Sequence, residues 1–461
     1  MSLLAAYMVP HPPLIVPSVG RGGEEQNAQT AGAYERVAGE AAALAPDTVV
    51  VTSPHAVSYA DYFHISPGKI AKGSFQRFGA PETRFEEAYD TAFVERLCAL
   101  AEAEDLPAGT LGERDAALDH GTAVPLWFLR RKYAGGKLVR IGISGLPLTE
   151  HYRLGQLIAR AAAETEKRVV LIASGDLSHK LRAEGPYGFA PEGPEYDRRI
   201  MDVCGRAAFG ELFDFEARFR EKAAECGHRS FVIMAGAFDG VRVKATVLSH
   251  QDITGVGYGV CTFYPEGADE NRRFLDAYLE KQKEECRDQA ASGDPYVRLA
   301  RASVESWVRY RERIPVPSDL PAEMLSARAG AFVTIRKNGD LRGCIGTIAP
   351  TRNDLAEEIV ENAVSACARD PRFRPVTEAE LPFLQIGVDV LGEPEAVSSP
   401  EELDVKRYGV IVSCGRRRGL LLPDLEGVDT VEEQIRIARQ KGGIGADEPC
   451  RLQRFEVVRH R

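Results

Sequence analysis

Short apolar runs closed by turns alternate with longer stretches of helical spacing through the first 265 residues. Leu3–Val9, Thr48–Thr52, Leu138–Ile143 and Val169–Ala173 are aliphatic and β-branched with little polar interruption. Runs of that kind suit strands buried on both faces. Glu24–Leu44, Phe85–Glu102, Leu154–Glu164, Pro194–Phe215 and His228–Phe238 carry helical composition and spacing. A short strand is expected near Tyr62–Ile65, with late strands at Val241–Leu248 and Gly257–Phe263. The alternation predicts an α/β domain over residues 1–265, a mixed sheet flanked by helices.

Beyond Glu266 the pattern changes. Residues 270–288 are rich in Glu, Lys, Arg and Gln, so 266–293 read as a solvated helical linker. A second domain is expected over 294–461, opening with a helix after Asp294-Pro295. Ala331–Ile335 and Leu341–Ile348 read as strands around Lys337-Asn338-Gly339-Asp340, whose Asn-Gly pair is hairpin chemistry. A helix at Asp354–Cys367 and strands at Leu384–Val390 and Val410–Ser413 follow. Mixed rather than alternating order predicts α+β. Glu378 and Glu380 read as solvated turn residues, and Lys441-Gly442-Gly443 as a helix stop.

Composition adds boundaries to this outline. The 461 residues exceed one ordinary core. Hydrophobic residues at 44% and charged residues at 27% are those of a globular chain. A net charge of −10 argues against a nucleic-acid surface as the main role. No apolar run approaches the roughly 18 residues of a membrane span, so no membrane partner is expected. The amino terminus reads as a first strand rather than an export signal. Nine scattered cysteines without a Cys-x-x-Cys pair exclude a zinc ribbon or local dithiol motif, and fit reduced thiols in a cytoplasm.

Candidate chemistry gathers where the apolar runs stop. Leu171–Ala173 gives way to Ser174-Gly175-Asp176, with His179 three residues on. In an open α/β sheet, ligands bind beyond the carboxyl ends of the strands. His11 and His55 each follow a predicted strand and lie beside proline, which stiffens the loop. Two neutral imidazoles so held can occupy adjacent positions on a divalent metal, and a third carboxylate ligand would leave sites open. His120 sits in a fourth turn of this kind, Asp119-His120-Gly121-Thr122. Any one of these histidines is equally explained as a hydrogen-bonded loop residue; four together favour a site. His64, inside a strand, and His151, at a helix start, read as structural.

Four pieces in this order carry a resemblance: Pro10-His11-Pro12-Pro13, Ser53-Pro54-His55, Leu118-Asp119-His120-Gly121 and Gly175-Asp176-Leu177-Ser178-His179. Residues 1 to about 265 resemble the class III extradiol ring-cleavage (LigB-like) dioxygenases and the related Memo family. The resemblance implies His11 and His55 as metal ligands, His179 as the acid/base histidine, and His120 as a histidine facing the substrate or the ligands. The dioxygenases carry a glutamate before the late helix; here the segment reads Glu225-Cys226-Gly227-His228. Glu225 is taken slightly ahead of Cys226 as third ligand, with His228 a distant third. Cys226 is the Memo-like choice. A carboxylate favours iron(II) or manganese, and a thiolate copper(I) or zinc. Iron(II) is the first expectation, with a catecholic or similar chelating substrate and dioxygen as partners in an oxidoreductase. The alternative is a Memo-like metal-binding or scaffold protein without ring cleavage.

In the second domain Leu341-Arg342-Gly343-Cys344-Ile345-Gly346 and Asp370-Pro371-Arg372-Phe373 resemble the AMMECR family. Arg342 offers a planar fork for an anion. Cys344 is read as a nucleophile or as a small buried residue on a strand. The fusion resembles the AmmeMemoRadiSam arrangement, which implies a radical S-adenosylmethionine partner.

Overall fold

Four of the apolar runs lie side by side in one sheet. The computed structural model describes residues 2–112, 117–425 and 427–461. The chain divides into two compact units, Met1–Tyr278 and Leu279–Arg461. In the first, strands β1 (Leu3–Val9), β2 (Thr48–Ser53), β3 (Lys137–Gly142) and β4 (Val169–Ser174) are joined by the hairpin β5 (Val241–Asp252) and β6 (Gly257–Ala268). The sheet order is β3-β2-β4-β1-β6-β5. β3, β2, β4 and β1 are parallel, in registers such as Thr52↔Ala173 and Met8↔Ala173. β6 pairs antiparallel with β1 and β5, which makes the sheet mixed.

All six residues of β2 and of β4 are buried. The reason is cover on both faces: unbroken apolar runs have no solvent side to display. Helices α1 (Ala28–Leu44) and α2 (His120–Arg130) carry Tyr34, Val37, Ala38, Val124 and Phe128 into the cluster that holds Val9, Val49 and Ile172. Helix α3 (Leu148–Glu164) buries Tyr152, Leu154, Leu157 and Ile158. Helices α4 (Glu192–Arg206) and α5 (His228–Gly236) lie between β4 and β5 in the chain.

Two of the expected helices depart from the pattern. Residues 85–102 are not one helix: Ala80–Ala88 is a strand paired with Ile70–Phe75, and the helix spans Thr91–Ala103. Phe85 packs edge-on against Phe75 across that hairpin, while the Asp90 carboxylate accepts Phe93 N–H and starts the helix afresh. The expected Pro194–Phe215 helix likewise stops at Arg206, where Ala207 takes a left-handed conformation.

In the second unit, helices α6 (Pro295–Tyr310) and α7 (Leu355–Ala368) pack on a four-stranded sheet. Its strands are β7 (Ala331–Lys337), β8 (Asp340–Gly346), β9 (Leu384–Leu391) and, from the chain's end, Val457–His460. A second sheet holds β10 (Glu395–Val397), β11 (Gly409–Cys414), β12 (Arg417–Leu421) and β13 (Arg451–Phe455), beside helix α8 (Val431–Lys441). The β7–β8 turn is the expected hairpin, with Asn338 and Gly339 both at positive φ. Among the described residues, no helix is long and apolar enough to cross a membrane.

Candidate metal centre

Parallel strands end on the same rim, so the chain leaves β1, β2 and β4 at one place. β1 and β2 are separated in the sheet only by β4, which brings Pro10-His11 and Pro54-His55 to either side of Ser174-Gly175. The Nε2 atoms of His11 and His55 are 3.1 Å apart. Cys226 Sγ lies 3.6 Å from His11 Nε2. His11, His55 and Cys226 place one donor atom each within 4.8 Å of the others, as do Asp176, His179 and Cys226.

Hydrogen bonds fix which nitrogen of His11 is free. Ser174 Oγ spends its only proton on Gly121 O at 2.5 Å, so it accepts from His11 Nδ1–H at 2.9 Å. The lone pair is then on Nε2, the atom facing His55 and Cys226. His11 is also held by its main chain, whose N–H donates to Asp176 Oδ1 at 2.8 Å. Burial, reinforced by His55, pulls the His11 imidazole down to about 3. Burial also lowers His55. Both rings are therefore held neutral, the form that ligates.

Cys226 is brought in by glycine. Gly175 and Gly227 pack back to back; a Cβ on Gly175 would stand 2.1 Å from Gly227 Cα. That approach seats the thiol against the end of β4, where Asp176 N–H donates to Sγ at 3.2 Å. Burial raises the Cys226 thiol well above its usual value, and the Asp176 charge adds to this. Burial raises the Asp176 carboxyl too. A bound cation opposes both effects by favouring the anions.

His120 and His179 flank this group on different elements. Asp119 caps α2 by accepting Thr122 N–H at 3.0 Å, and the same oxygen accepts Ser53 Oγ–H at 2.5 Å. The cap thus ties α2 to the end of β2 and lays His120 over His55, ring centroids 4.0 Å apart. Burial and the neighbouring rings lower His120 to about 4. His179 Nδ1–H donates to Ala224 O at 2.5 Å, leaving Nε2 as a base. Its ring meets Tyr187 edge-on at 5.1 Å.

Glu225, the first-named third ligand, is engaged elsewhere. Its Oε2 accepts His228 N–H at 2.7 Å at the start of α5, and its Oε1 lies 3.8 Å from Arg220. A helix N-terminus and a guanidinium are what a buried carboxylate seeks, and both draw Glu225 away from the imidazoles. Glu225 belongs to neither donor group. The His228 ring is also engaged elsewhere: Nε2–H donates to Leu212 O at 3.0 Å, and Nδ1 lies 3.2 Å from Tyr196 Oη. Asp176 is the donor that sequence reasoning read only as a turn residue. Its signal was present, a carboxylate directly after a buried strand and three residues before His179. His64 and His151 are buried and hydrogen-bonded to Leu111 O and Pro147 O.

The second unit gathers less. Arg342 is not an open fork: Glu380 takes its Nε–H at 2.9 Å and its Nη2–H at 3.1 Å, and Arg374 O takes Nη1–H at 2.8 Å. Glu380 is therefore not solvated, and contacts from Arg342, Thr377 and Lys337 outweigh its burial and lower it to about 2. Cys344 is half-buried on β8, its sulfur 3.4 Å from Thr334 Oγ1 and its thiol raised by burial. His460 pairs with Asp294 at 2.7 Å.

The family model of the catalytic LigB subunit of aromatic ring-opening dioxygenase matches residues 5–261. The chain belongs to the LigB family. Its members bind a metal. A second family model, AMMECR1, matches residues 297–460 of this LigB protein. A protein of Clostridium acetobutylicum is 38% identical over the full length of both chains. One of Thermotoga maritima is 52% identical over 36% of this chain and 97% of its own. An uncharacterized protein of Pyrococcus horikoshii, of solved structure, covers 36% of this chain and 88% of its own, with 32% identity and a TM-score of 0.34.

Proposed function

We propose that the LigB unit is the metal centre of an oxidoreductase, held by His11, His55 and Cys226, acting on a small chelating substrate of the catechol type with dioxygen. The observation that carries this is the convergence of two imidazoles, that of His11 with its tautomer fixed by Ser174, and one thiol from three loops, with His179 and Asp176 beside them. The donor set fits a metal ion: neutral nitrogen and sulfur donors suit iron, copper or zinc, and three protein ligands leave a position open. Such an ion supplies Lewis acidity toward a coordinated hydroxyl and, where redox-active, an electron path between substrate and oxygen.

The protein's residues do the remaining work. His179 Nε2 takes the proton of the substrate hydroxyl, since Nδ1 keeps its own on Ala224 O. The resulting imidazolium is stabilised by the neighbouring Asp176. His120, neutral on the opposite flank, presents an imidazole to the substrate or to oxygen.

A second reading rests on Cys226. A thiolate where the ring-cleaving enzymes place a carboxylate favours copper(I) or zinc. That suits a Memo-like metal-binding role without ring cleavage, working with a radical S-adenosylmethionine protein. Metal analysis of chelator-free protein with oxygen uptake on catechols separates the two. Iron with uptake supports the first reading; copper or zinc without uptake overturns it.

A further inference from the structure

The sheet of β10 to β13 lays the segments of two distant cysteines side by side. β11 and β13 pair antiparallel in the register Val410↔Arg454, Val412↔Leu452, Ser413↔Arg451. The paired strand ends there; the same register extended by one residue would set Cys414 opposite Cys450. Opposed residues of an antiparallel ladder project from one face with Cα atoms about 4.5–5.5 Å apart. A disulfide spans that separation. The shared face is independently evident: Cys414, Cys450 and Leu452 all pack against the cluster containing Val410, Val412 and Ala438.

Both are free thiols and only partly buried. Cys204 and Cys261, by contrast, are sealed in the first unit's core, where burial raises their thiols. Each cysteine of the pair also has a guanidinium at its sulfur. Arg439 Nη2–H donates to Cys450 Sγ at 2.9 Å, and Arg417 Nη2–H to Cys414 Sγ at 3.6 Å. A cation there complements the negative charge a sulfur carries as it attacks a disulfide. Glu448 holds Arg417 and accepts from Cys414 at 3.7 Å.

We propose that Cys414 and Cys450 form a reversible thiol pair that small-molecule disulfides oxidise to a cross-strand disulfide. Cys450 attacks one sulfur of the small disulfide, giving a mixed disulfide and releasing one small thiol. Cys414 then attacks the Cys450 sulfur, forming the Cys414–Cys450 bond and releasing the second. Two protein thiols lose two electrons and two protons, and one small disulfide becomes two thiols. The product ties β11 to β13 around the segment that carries β12 and α8.

The test uses the full reduced chain with oxidised glutathione in about tenfold excess, read by intact mass and peptide mapping. The expected result is loss of two hydrogens without an added glutathione, a Cys414–Cys450 cross-linked peptide, and reversal by dithiothreitol. C414S and C450S should each instead retain one glutathione on the remaining cysteine of the pair. The double variant C414S/C450S should keep the fold by circular dichroism and form no cross-link in this unit. Separate glutathione adducts on both cysteines of the folded native chain, or a disulfide to any other cysteine, would overturn the proposal.

Discussion

Gly175→Ala probes the step that builds the centre. The new Cβ would stand 2.1 Å from Gly227 Cα, whereas ordinary contact begins at 3.4 Å. The obstacle is backbone, with no side chain to swing aside, so the two loops must part by about 1.3 Å. That motion stretches the Asp176 N–H to Cys226 Sγ bond from 3.2 Å and the Gly227 N–H to Asp176 O bond from 3.1 Å, both beyond useful range. Overpacking costs ~1–3 kcal/mol and each of the two lost hydrogen bonds ~1 kcal/mol, so ~3–5 kcal/mol is expected overall. For a unit of this size that corresponds to a fall in Tm of about 6–20 °C. Moving Cys226 by about an ångström from His11 should weaken metal binding by roughly 10- to 100-fold, as loss of a ligand's support does. Differential scanning calorimetry and competitive chelator titration of the same variant read the two effects. A Tm within about 1 °C of the native chain, or a fall in Tm with native metal affinity, would refute the claim that this glycine pair seats the thiol.

Cys226→Ser should cut metal affinity by at least ~100-fold, while Glu225→Gln should leave metal stoichiometry intact and lower Tm, measured by plasma emission and calorimetry. Ser174→Ala removes the acceptor of His11 Nδ1–H and should weaken metal binding about 10- to 100-fold with native far-ultraviolet dichroism; unchanged affinity would contradict the tautomer assignment. His179→Gln should retain metal and lose substrate turnover, followed by oxygen consumption. Glu380 is lowered to about 2 by contacts with Arg342, Thr377 and Lys337. Its contribution is complete above the unfolded glutamate value near 4.3 and is lost as pH falls toward about 2. Glu380→Gln should therefore cost on the order of 2 kcal/mol at neutral pH and flatten the acid limb of denaturant-derived stability between about pH 4.5 and 2.

Much of the site was legible because its parts announce themselves locally. His11 and His55 directly follow buried strands and neighbour proline, so their loops are short and stiff, and the rim rule then places them together. His120 and His179 carried the same local mark. The third donor was not legible. Glu225 and Cys226 are adjacent in the chain, and composition favours neither. What sets them apart is tertiary: the helix N-terminus at His228 and the guanidinium of Arg220 engage the carboxylate. Asp176 was hidden by its own turn propensity, and Glu380 by lying in a polar segment whose partner, Arg342, is distant in sequence.

The sequence by itself determined the buried parallel strands, most helices, the two-domain outline and the candidate histidines, because periodicity and turn chemistry act over a few residues. Tertiary structure alone decided the strand order, the closeness of His11 to His55, and the placement of Cys226 beside them. Each of those depends on groups far apart in the chain. Only packing settles such contacts: two glycines that let backbones touch, and a helix end that claims the nearest negative charge.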